Sequence, residues 1–225
     1  MGEILWLPKQ FQVTQPSHPP LPILAALLVT LAVFVQAPLV REQPMLAAVF
    51  TLALLAIGIS NRDSWGNLLV GFSASWLAGC VFWGWLRLHP LWHLPVEAFA
   101  LPLALAGLWG PWRQAGQFYL GALLGTACTD AAMAICGVMP LWPKALMAEP
   151  QAAQQLLMEA AHIVLQPHHL LVVGAFATAM LIISSWLWRL GPGGKLVGAC
   201  LATTLVVDGM FLLLALLMPQ FSGLV

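Results

Sequence analysis

The sequence predicts an all-α fold, a polytopic membrane helix bundle of about seven transmembrane helices with one further amphipathic helix at the interface. Composition is the first observation behind this prediction. Hydrophobic residues make up 61% of the 225 residues and charged residues only 7%, and the mean hydropathy is +0.90. A soluble domain carries about 25% charged residues. The chain therefore lacks the polar material that would cover a globule in water, and lipid is the expected solvent.

The spacing of the apolar stretches is the second observation. A helix needs about 20 apolar residues to cross the bilayer, and it satisfies its own backbone hydrogen bonds there. Seven stretches meet or approach that length: Leu21–Val40, Met45–Ser60, Gly66–Leu86, Pro95–Trp109, Gly116–Pro140, His169–Leu190 and Lys195–Met218. The second and fourth are short, so they either tilt into a thin patch or form a re-entrant pair, with five or six spans as the alternative count. Residues 1–225 are expected to form one transmembrane domain.

Charges and tryptophans mark the ends of these stretches. Turn sequences rich in Gly and Pro separate the spans, and most of the eleven tryptophans lie beside them, where indole prefers the headgroup region. Residues 1–20 are expected to form a short surface tail. With seven spans, five basic residues lie on the N-terminal side (Lys9, Arg62, Arg113, Arg189, Lys195) and three on the other (Arg41, Arg87, Lys144). This asymmetry favours a cytoplasmic N-terminus.

The segment from Lys144 to Pro167 is the long connection of the chain. Polar residues recur in it at three- or four-residue spacing (Gln151, Gln155, Glu159, His162, Gln166), and an apolar set occupies the opposite side (Leu156, Leu157, Ala160, Ile163, Val164). This periodicity predicts an amphipathic helix between Pro150 and Pro167. We expect it to lie in the interface or to cover the mouth of the bundle as a lid.

Several functional classes are disfavoured by the sequence. Eight basic and eight acidic residues cancel without any run of like charge, so the basic patch of a nucleic-acid-binding protein is missing. The four cysteines stand apart with no CxxC pair, which offers neither a zinc knuckle nor a redox motif. No phosphate-binding glycine loop, HExxH or GxSxG motif is present, so the sequence leans against an enzyme. It identifies no cofactor.

Two aspartates inside apolar stretches are the first candidate site. Asp130 lies ten residues before Pro140 and Asp208 eleven before Pro219, so both are expected near mid-membrane at similar depth. A lone carboxylate there is costly and has to be protonated, paired or facing water. One interpretation is that the aspartates bind a proton, a cation or a polar group of a solute. The alternative is a structural hydrogen bond between helices, with Thr126, Thr129, Thr203 or Thr204 as the partner.

A group of histidines on the side opposite the N-terminus is the second candidate site: His89, His93, His162, His168 and His169, together with Glu97. Imidazole and carboxylate at helical spacing can bind a transition metal or ligate a porphyrin. Pro90 and Pro95 interrupt the helix that would bring His89, His93 and Glu97 onto one face. The alternative is that these are ordinary polar residues of the interface.

A weak internal repeat links the two aspartates. Residues 121–140 and 198–219 share a Gly-Ala start, a threonine, an aspartate followed by methionine, and a final Met-Pro. Such a repeat would be parallel, because both helices are expected to run in the same direction. Chance similarity between two apolar helices is the alternative explanation.

The stretch GFSASWLAGCVFWGWLRLHPLWHLPVEAFALPLAL, residues 71–105, resembles a cyanobacterial membrane family known as domain of unknown function 3120. The stretch FYLGALLGTACTD and the opening LPILAALLVTLAVFVQAPLV fit the same resemblance, which covers most of the chain. The resemblance implies a bacterial membrane protein of photosynthetic organisms, in the thylakoid or plasma membrane. It supplies no catalytic residues.

Two functional classes follow. One is a transporter-like protein that binds or moves a small solute or a proton, with the two aspartates lining the path. The other is a non-catalytic accessory or assembly factor of a photosynthetic membrane complex, binding pigment through His89 or His93. A weaker third is a membrane enzyme acting on a lipid or quinone. The lipid bilayer is the expected partner, with a membrane protein complex as a further one.

Overall fold

The computed structural model describes residues 20–221, and this part of the chain is helical throughout, with no β-strand. Its α-helices, in chain order, are α1 (Leu21–Leu31), α2 (Ala37–Glu42), α3 (Pro44–Ser60), α4 (Ser64–Val81), α5 (His93–Glu97), α6 (Leu101–Gly107), α7 (Arg113–Ile135), α8 (Leu141–Met147), α9 (Pro150–Val164), α10 (Pro167–Leu187) and α11 (Pro192–Leu217). Two π-helical turns, Ala32–Gln36 and Phe82–Leu86, continue α1 and α4. The predicted N-terminal tail lies outside the described residues, apart from Pro20.

Five helices of the described part are long and apolar enough to cross a membrane: Leu21–Glu42, Ser64–Leu86, Arg113–Ile135, Pro167–Leu187 and Pro192–Leu217. Each coincides with one of the predicted stretches, which supports a membrane protein. The second predicted stretch is the shorter apolar helix Pro44–Ser60. The fourth is divided into two short helices. The structure therefore supports five candidate spans and leaves the predicted count of seven as a prediction.

The division of the fourth stretch is stabilised by hydrogen bonds from another helix. The chain makes turns between α5 and α6, from Ala98 to Ala100. There the backbone N–H of Ala100 donates to the hydroxyl of Tyr119 over 3.1 Å, and that hydroxyl donates to the carbonyl of Glu97. One tyrosine on α7 thus satisfies a donor and an acceptor that the interrupted helix leaves free. These two hydrogen bonds hold the turn between α5 and α6 against α7.

Helices α7 and α11 run parallel through the middle of the bundle. Gly121 approaches Cys200 and Gly125 approaches Thr204, while Thr129 bonds Asp208. The sequence offset is 79 in all three pairs, which is the signature of two parallel helices in constant register. This agrees with the parallel direction predicted for the two similar segments.

Helix α4 lies at the centre of the packed core. Leu68, Phe72, Trp76 and Cys80 are almost fully buried in one cluster, and their spacing of four places them on one face of the helix. The indole N–H of Trp76 donates to the carbonyl of Ala47 on α3 over 3.0 Å. Side-chain hydrogen bonding therefore accompanies the apolar packing between α3 and α4.

Helix α7 ends earlier than the sequence predicted. Gly137 adopts a left-handed conformation with φ of 69°, and its N–H donates to the carbonyl of Ala134. Glycine tolerates this conformation and commonly terminates helices in this way. The predicted span to Pro140 is wrong at this end, so Asp130 lies five residues from the end of α7 (Ile135) instead of ten.

The connection that follows contains two helices. Helix α8, which the sequence analysis missed, is followed by α9, found from Pro150 to Val164 where an amphipathic helix was predicted. Proline at the first position suits a helix start because its missing N–H would have had no partner there. Whether α9 lies in the membrane interface stays a prediction.

Candidate functional site

A cavity of about 490 Å³ lies among α1, α7, α9, α10 and α11. Most of its lining side chains are apolar. The polar and ionisable groups among them are Gln36, Ser75, His93, Glu97, Thr126, Cys128, Thr129, Asp130, Cys136, Thr204 and Asp208. No lysine or arginine is among the residues that line it. Both aspartates thus line one common cavity.

Asp130 is paired with a histidine from the interrupted fourth segment. The Nδ1 atom of His93 lies 3.0 Å from each carboxyl oxygen of Asp130. The Asp130 side chain is 9% exposed and the His93 side chain 20%, so the pair is largely removed from solvent. A buried carboxylate needs such a partner, because an isolated charge in a low-dielectric surrounding is very costly. Proton transfer between the two side chains needs no movement of either.

Asp208 has a different partner. The hydroxyl of Thr129 donates to its Oδ2 atom over 2.6 Å, and the same hydroxyl lies 3.2 Å from the carbonyl of Gly125. Within the described part of the chain, the Oδ1 atom of Asp208 makes no hydrogen bond. One oxygen of this carboxyl is therefore held between the helices and the other remains available.

Glu97 is the third carboxyl of the cavity. It follows His93 by one helical turn of α5 and lies within electrostatic range of both His93 and Asp130. Asp208 in turn lies within electrostatic range of Asp130. The Glu97 carboxyl has no hydrogen bond to any described residue. These three carboxyl groups and one imidazole are therefore connected by electrostatic interactions. We call them the acidic cluster: His93, Glu97, Asp130 and Asp208.

Helix geometry and a glycine on α7 bring this cluster together. Thr126 and Asp130 are four residues apart on α7, as are Thr204 and Asp208 on α11, so each pair shares a helix face. At the crossing, a Cβ on Gly125 would lie 2.4 Å from the hydroxyl oxygen of Thr204. Only glycine permits this approach, in the manner of small residues at membrane helix interfaces. The approach places Thr129 within reach of Asp208.

Aromatic side chains surround His93. Its ring centroid lies 4.5 Å from that of Phe82 and 6.2 Å from that of Trp142, and Trp142 stacks on Trp83 with centroids 5.5 Å apart. The buried indole N–H of Trp142 has no acceptor among the described residues. Buried polar groups normally have a hydrogen-bond partner, so this donor is an exception beside the cluster.

The apolar face of α9 closes another side of the cavity. Leu156, Leu157, Ala160 and Val164 belong to the predicted apolar face and line the cavity. The predicted fifth member, Ile163, does not line it, and its carbonyl lies 2.8 Å from Nδ1 of His169. The apolar face of α9 is therefore turned toward the cavity, and the polar face of the same helix is turned away from it.

The structure distributes the sequence-predicted site residues unevenly. Asp130, Asp208, Thr126, Thr129 and Thr204 all line the cavity, whereas Thr203 is not among its lining residues. The hydroxyl of Thr204 donates to the carbonyl of Cys200 rather than to an aspartate. Of the four predicted threonines, only Thr129 bonds an aspartate in the described part of the chain.

The predicted histidine group does not come together at one point. His93 and Glu97 line the cavity, while His89, His162 and His168 are exposed and do not line it. His169 contacts the C-terminal end of α9 and the ring of His168. Among the described residues, no three His, Cys, Asp or Glu side chains are placed to hold one metal ion. Metal or pigment binding by this group stays a prediction.

Several cavity residues were not identified from the sequence. Gln36 lies in the first π-helical turn and is 4% exposed, and its amide donates to the carbonyl of Trp76 and lies 3.6 Å from the sulfur of Cys80. Cys128 lines the cavity beside the aspartates. A glutamine inside an apolar stretch was an available signal, since polar residues at membrane depth are costly and often functional.

Comparison with known proteins gives one match. The family described as "Protein of unknown function (DUF3120)" matches residues 25–216. No curated protein and no solved structure matches the chain.

Proposed function

The chain belongs to the DUF3120 family, whose function is unknown, and we propose from the cavity that it binds a small solute and carries it across the membrane in exchange for protons. The observation that carries the proposal is the convergence of Asp130 and Asp208, from parallel helices, on one cavity. A structural role would need each carboxyl only to bond a neighbouring helix. It does not require that both border an empty volume.

Charge balance favours proton binding. The lining contains three carboxyl groups and one imidazole, with no lysine or arginine. Since unpaired charges at membrane depth are costly, protons or a bound solute have to neutralise the carboxyls that His93 does not. Loss of a proton from Asp208 or Glu97 therefore favours binding of a solute. Departure of the solute in turn favours binding of a proton. This is the thermodynamic linkage on which coupled transport depends.

Low burial of α10 on one side of the cavity favours movement. Only 11% of the most apolar window of α10 is buried within the protein. Helix α9 covers the cavity through apolar side chains. We propose that α9 is a lid, and that displacement of α9 and α10 opens the cavity.

Cys128 offers a direct test, because it is a native thiol in the cavity. Full-length protein in liposomes is treated with a membrane-impermeant thiol reagent on the outside or the inside, under opposite pH gradients, and labelled peptides are quantified by mass spectrometry. A carrier has to expose the cavity to each side in turn. We expect Cys128 to react from both sides, with the pH gradient selecting the side.

The same sample contains its control. Cys200 is fully buried between α7 and α11, so it should not react from either side. Asp208→Asn keeps an acceptor for the Thr129 hydroxyl but cannot ionise, so labelling of Cys128 in this variant should no longer respond to pH. Reaction of Cys128 from one side only under both gradients, or from neither, would rule out a carrier.

A further inference from the structure

We propose that the solute is an amphipathic organic cation, a molecule with an apolar body and one ammonium group. This inference deepens the proposed function and rests on it. It assigns Asp208 and Glu97 as the groups that face the ammonium end, and the apolar and aromatic lining as the surface that receives the body. Three features of the cavity lead to this class of molecule.

The first feature is the excess of acidic groups. With Glu97, Asp130 and Asp208 ionised and His93 protonated, the cavity carries two more negative than positive charges. No lining residue is a lysine or an arginine. His93 already contacts both oxygens of Asp130, so among the described residues Glu97 and Asp208 are the carboxyls without a cationic partner. An anionic solute would face uncompensated carboxylates, while a solute with one ammonium group would compensate one of them and a proton the other.

The second feature is that the available donor set does not suit a metal ion. Ca²⁺ and Mg²⁺ take six or more oxygen ligands, and no three candidate ligand side chains of the described chain converge on one point. The wall is mostly apolar and includes the rings of Phe72, Trp83, Phe118, Trp142, Phe176 and Phe211. Aromatic rings attract organic ammonium groups and pack against apolar bodies. The positive charge therefore belongs to a molecule with its own apolar surface.

The third feature is a pair of polar groups in the cavity lining that have no hydrogen-bond partner among the described residues. The Glu97 carboxyl accepts no hydrogen bond from a described residue, and the Trp142 indole N–H donates none. Both lie beside His93. An ammonium N–H would satisfy the carboxyl, and a bound molecule or water would provide the acceptor that the indole needs. The cavity volume of about 490 Å³ falls in the range typical of small-molecule sites.

The experiment compares three solutes with one apolar body and different charge: 2-(1-naphthyl)ethylammonium, 2-(1-naphthyl)ethanol and 2-(1-naphthyl)ethanesulfonate. Each is added to the detergent-purified full chain, and occupancy is read as protection of Cys128 from N-ethylmaleimide. We expect the ammonium to protect at a concentration about tenfold or more below that of the alcohol, as one charge-assisted contact predicts. The sulfonate should not protect. Lowering the pH should raise the half-protecting concentration of the ammonium.

Variants locate the contact. Glu97→Gln and Asp208→Asn should each raise the half-protecting concentration of the ammonium by about tenfold and leave that of the alcohol unchanged. Glu159→Gln is the matched control, because Glu159 is exposed on α9 and does not line the cavity. It should change neither value. Ammonium protection that is unaffected by both cavity variants would overturn the assignment of these carboxyls.

The unmodified protein is sufficient for the main comparison, so a variant that fails to fold does not prevent a decision. Equal protection by ammonium and alcohol, stronger protection by the sulfonate, or protection by none would contradict a cationic solute. Two-sided, pH-dependent labelling of Cys128 in liposomes would then still support a proton-linked carrier. Ammonium-specific protection with one-sided labelling would instead indicate a cation-binding protein that does not transport.

Discussion

The packed region formed by α3 and α4 contrasts with the cavity region formed by α7, α9, α10 and α11. In α4 and the π-helical turn that follows it, 56% of the most apolar window is buried inside the protein, against 33% in α7, 11% in α10 and 17% in α11. Mean hydropathy runs the other way, at 1.4 for the α4 window and 2.2 for those of α10 and α11. Since lipid tails are as apolar as leucine, the difference lies in how much of each helix packs against protein.

The contrast indicates which helices are held in place and which can move. Helices α3 and α4 are joined by buried large side chains, a tryptophan hydrogen bond and glycine contacts. The cavity region surrounds an open volume with mostly apolar side chains and a few polar ones. Lipid tails are as apolar as leucine, so close packing and hydrogen bonds hold membrane helices together. We expect α3 and α4 to stay fixed while α9 and α10 move. Four changes test this contrast, in decreasing order of their expected effect on stability.

Gly71→Ala should give the largest loss of stability. A Cβ at this position would lie 2.5 Å from the backbone carbonyl oxygen of Ala115, so α4 and α7 would have to separate, at a cost of about 2 to 3 kcal/mol. Gly174→Ala on α10 is the matched control, since no atom lies within 4 Å of its added Cβ. Thermal unfolding in detergent measures both. Equal destabilisation by the two changes would contradict the contrast between the regions.

Trp76→Phe should destabilise by about 1 kcal/mol, because it removes the hydrogen bond to the carbonyl of Ala47 while keeping an aromatic ring in the core. The same substitution at Trp109, which is 83% exposed, should leave the unfolding transition unchanged. Denaturation of the two variants in parallel checks the expectation. A larger effect at Trp109 would show that the packed region is misassigned.

Asp208→Asn should change stability by less than about 0.5 kcal/mol, since the amide oxygen can still accept from Thr129 over a similar distance. Proton-coupled transport should nevertheless be lost, and labelling of Cys128 should no longer respond to pH. The unfolding midpoint and the labelling rate are measured on the same preparation. A marked loss of stability together with normal pH-dependent labelling would assign Asp208 a structural role.

Leu157→Ala should leave the unfolding midpoint nearly unchanged and accelerate Cys128 labelling several-fold, because it removes part of the apolar contact between α9 and the cavity. Gln155→Ala is the control on the exposed side of the same helix. It should alter neither quantity. Unchanged labelling in Leu157→Ala would argue against α9 as a lid.

The sequence predicted the long helices because bilayer thickness and backbone hydrogen bonding fix both the length and the type of a spanning element. Stretches 66–86 and 195–218 therefore match α4 with its π-helical turn and α11 within a few residues. The end of α7 was missed, because termination depends on the left-handed conformation of Gly137, and apolar residues continue past it in the sequence. The break in the fourth stretch was missed for a related reason. It is supported by Tyr119, on another helix.

The site was predictable only in part. Carboxyls in apolar stretches are costly wherever they occur, so Asp130 and Asp208 were identifiable from sequence alone. The partner of Asp130 was not, because His93 lies 37 residues away and reaches it through helix packing that a single sequence does not reveal. His93 was instead grouped with histidines that the structure leaves apart. The Thr129–Asp208 contact depends on the register of α7 and α11, which is set by Gly125.

The central claim is that carboxyl groups in the cavity exchange protons, and infrared difference spectroscopy tests it most directly. The full-length protein is titrated in lipid across the neutral range while the C=O stretch of protonated carboxylic acids is recorded. We predict a pH-dependent band that decreases in Asp208→Asn and Glu97→Gln and persists unchanged in Glu159→Gln. A spectrum without any titrating carboxyl band, or one identical in the cavity variants and the control, would contradict the account.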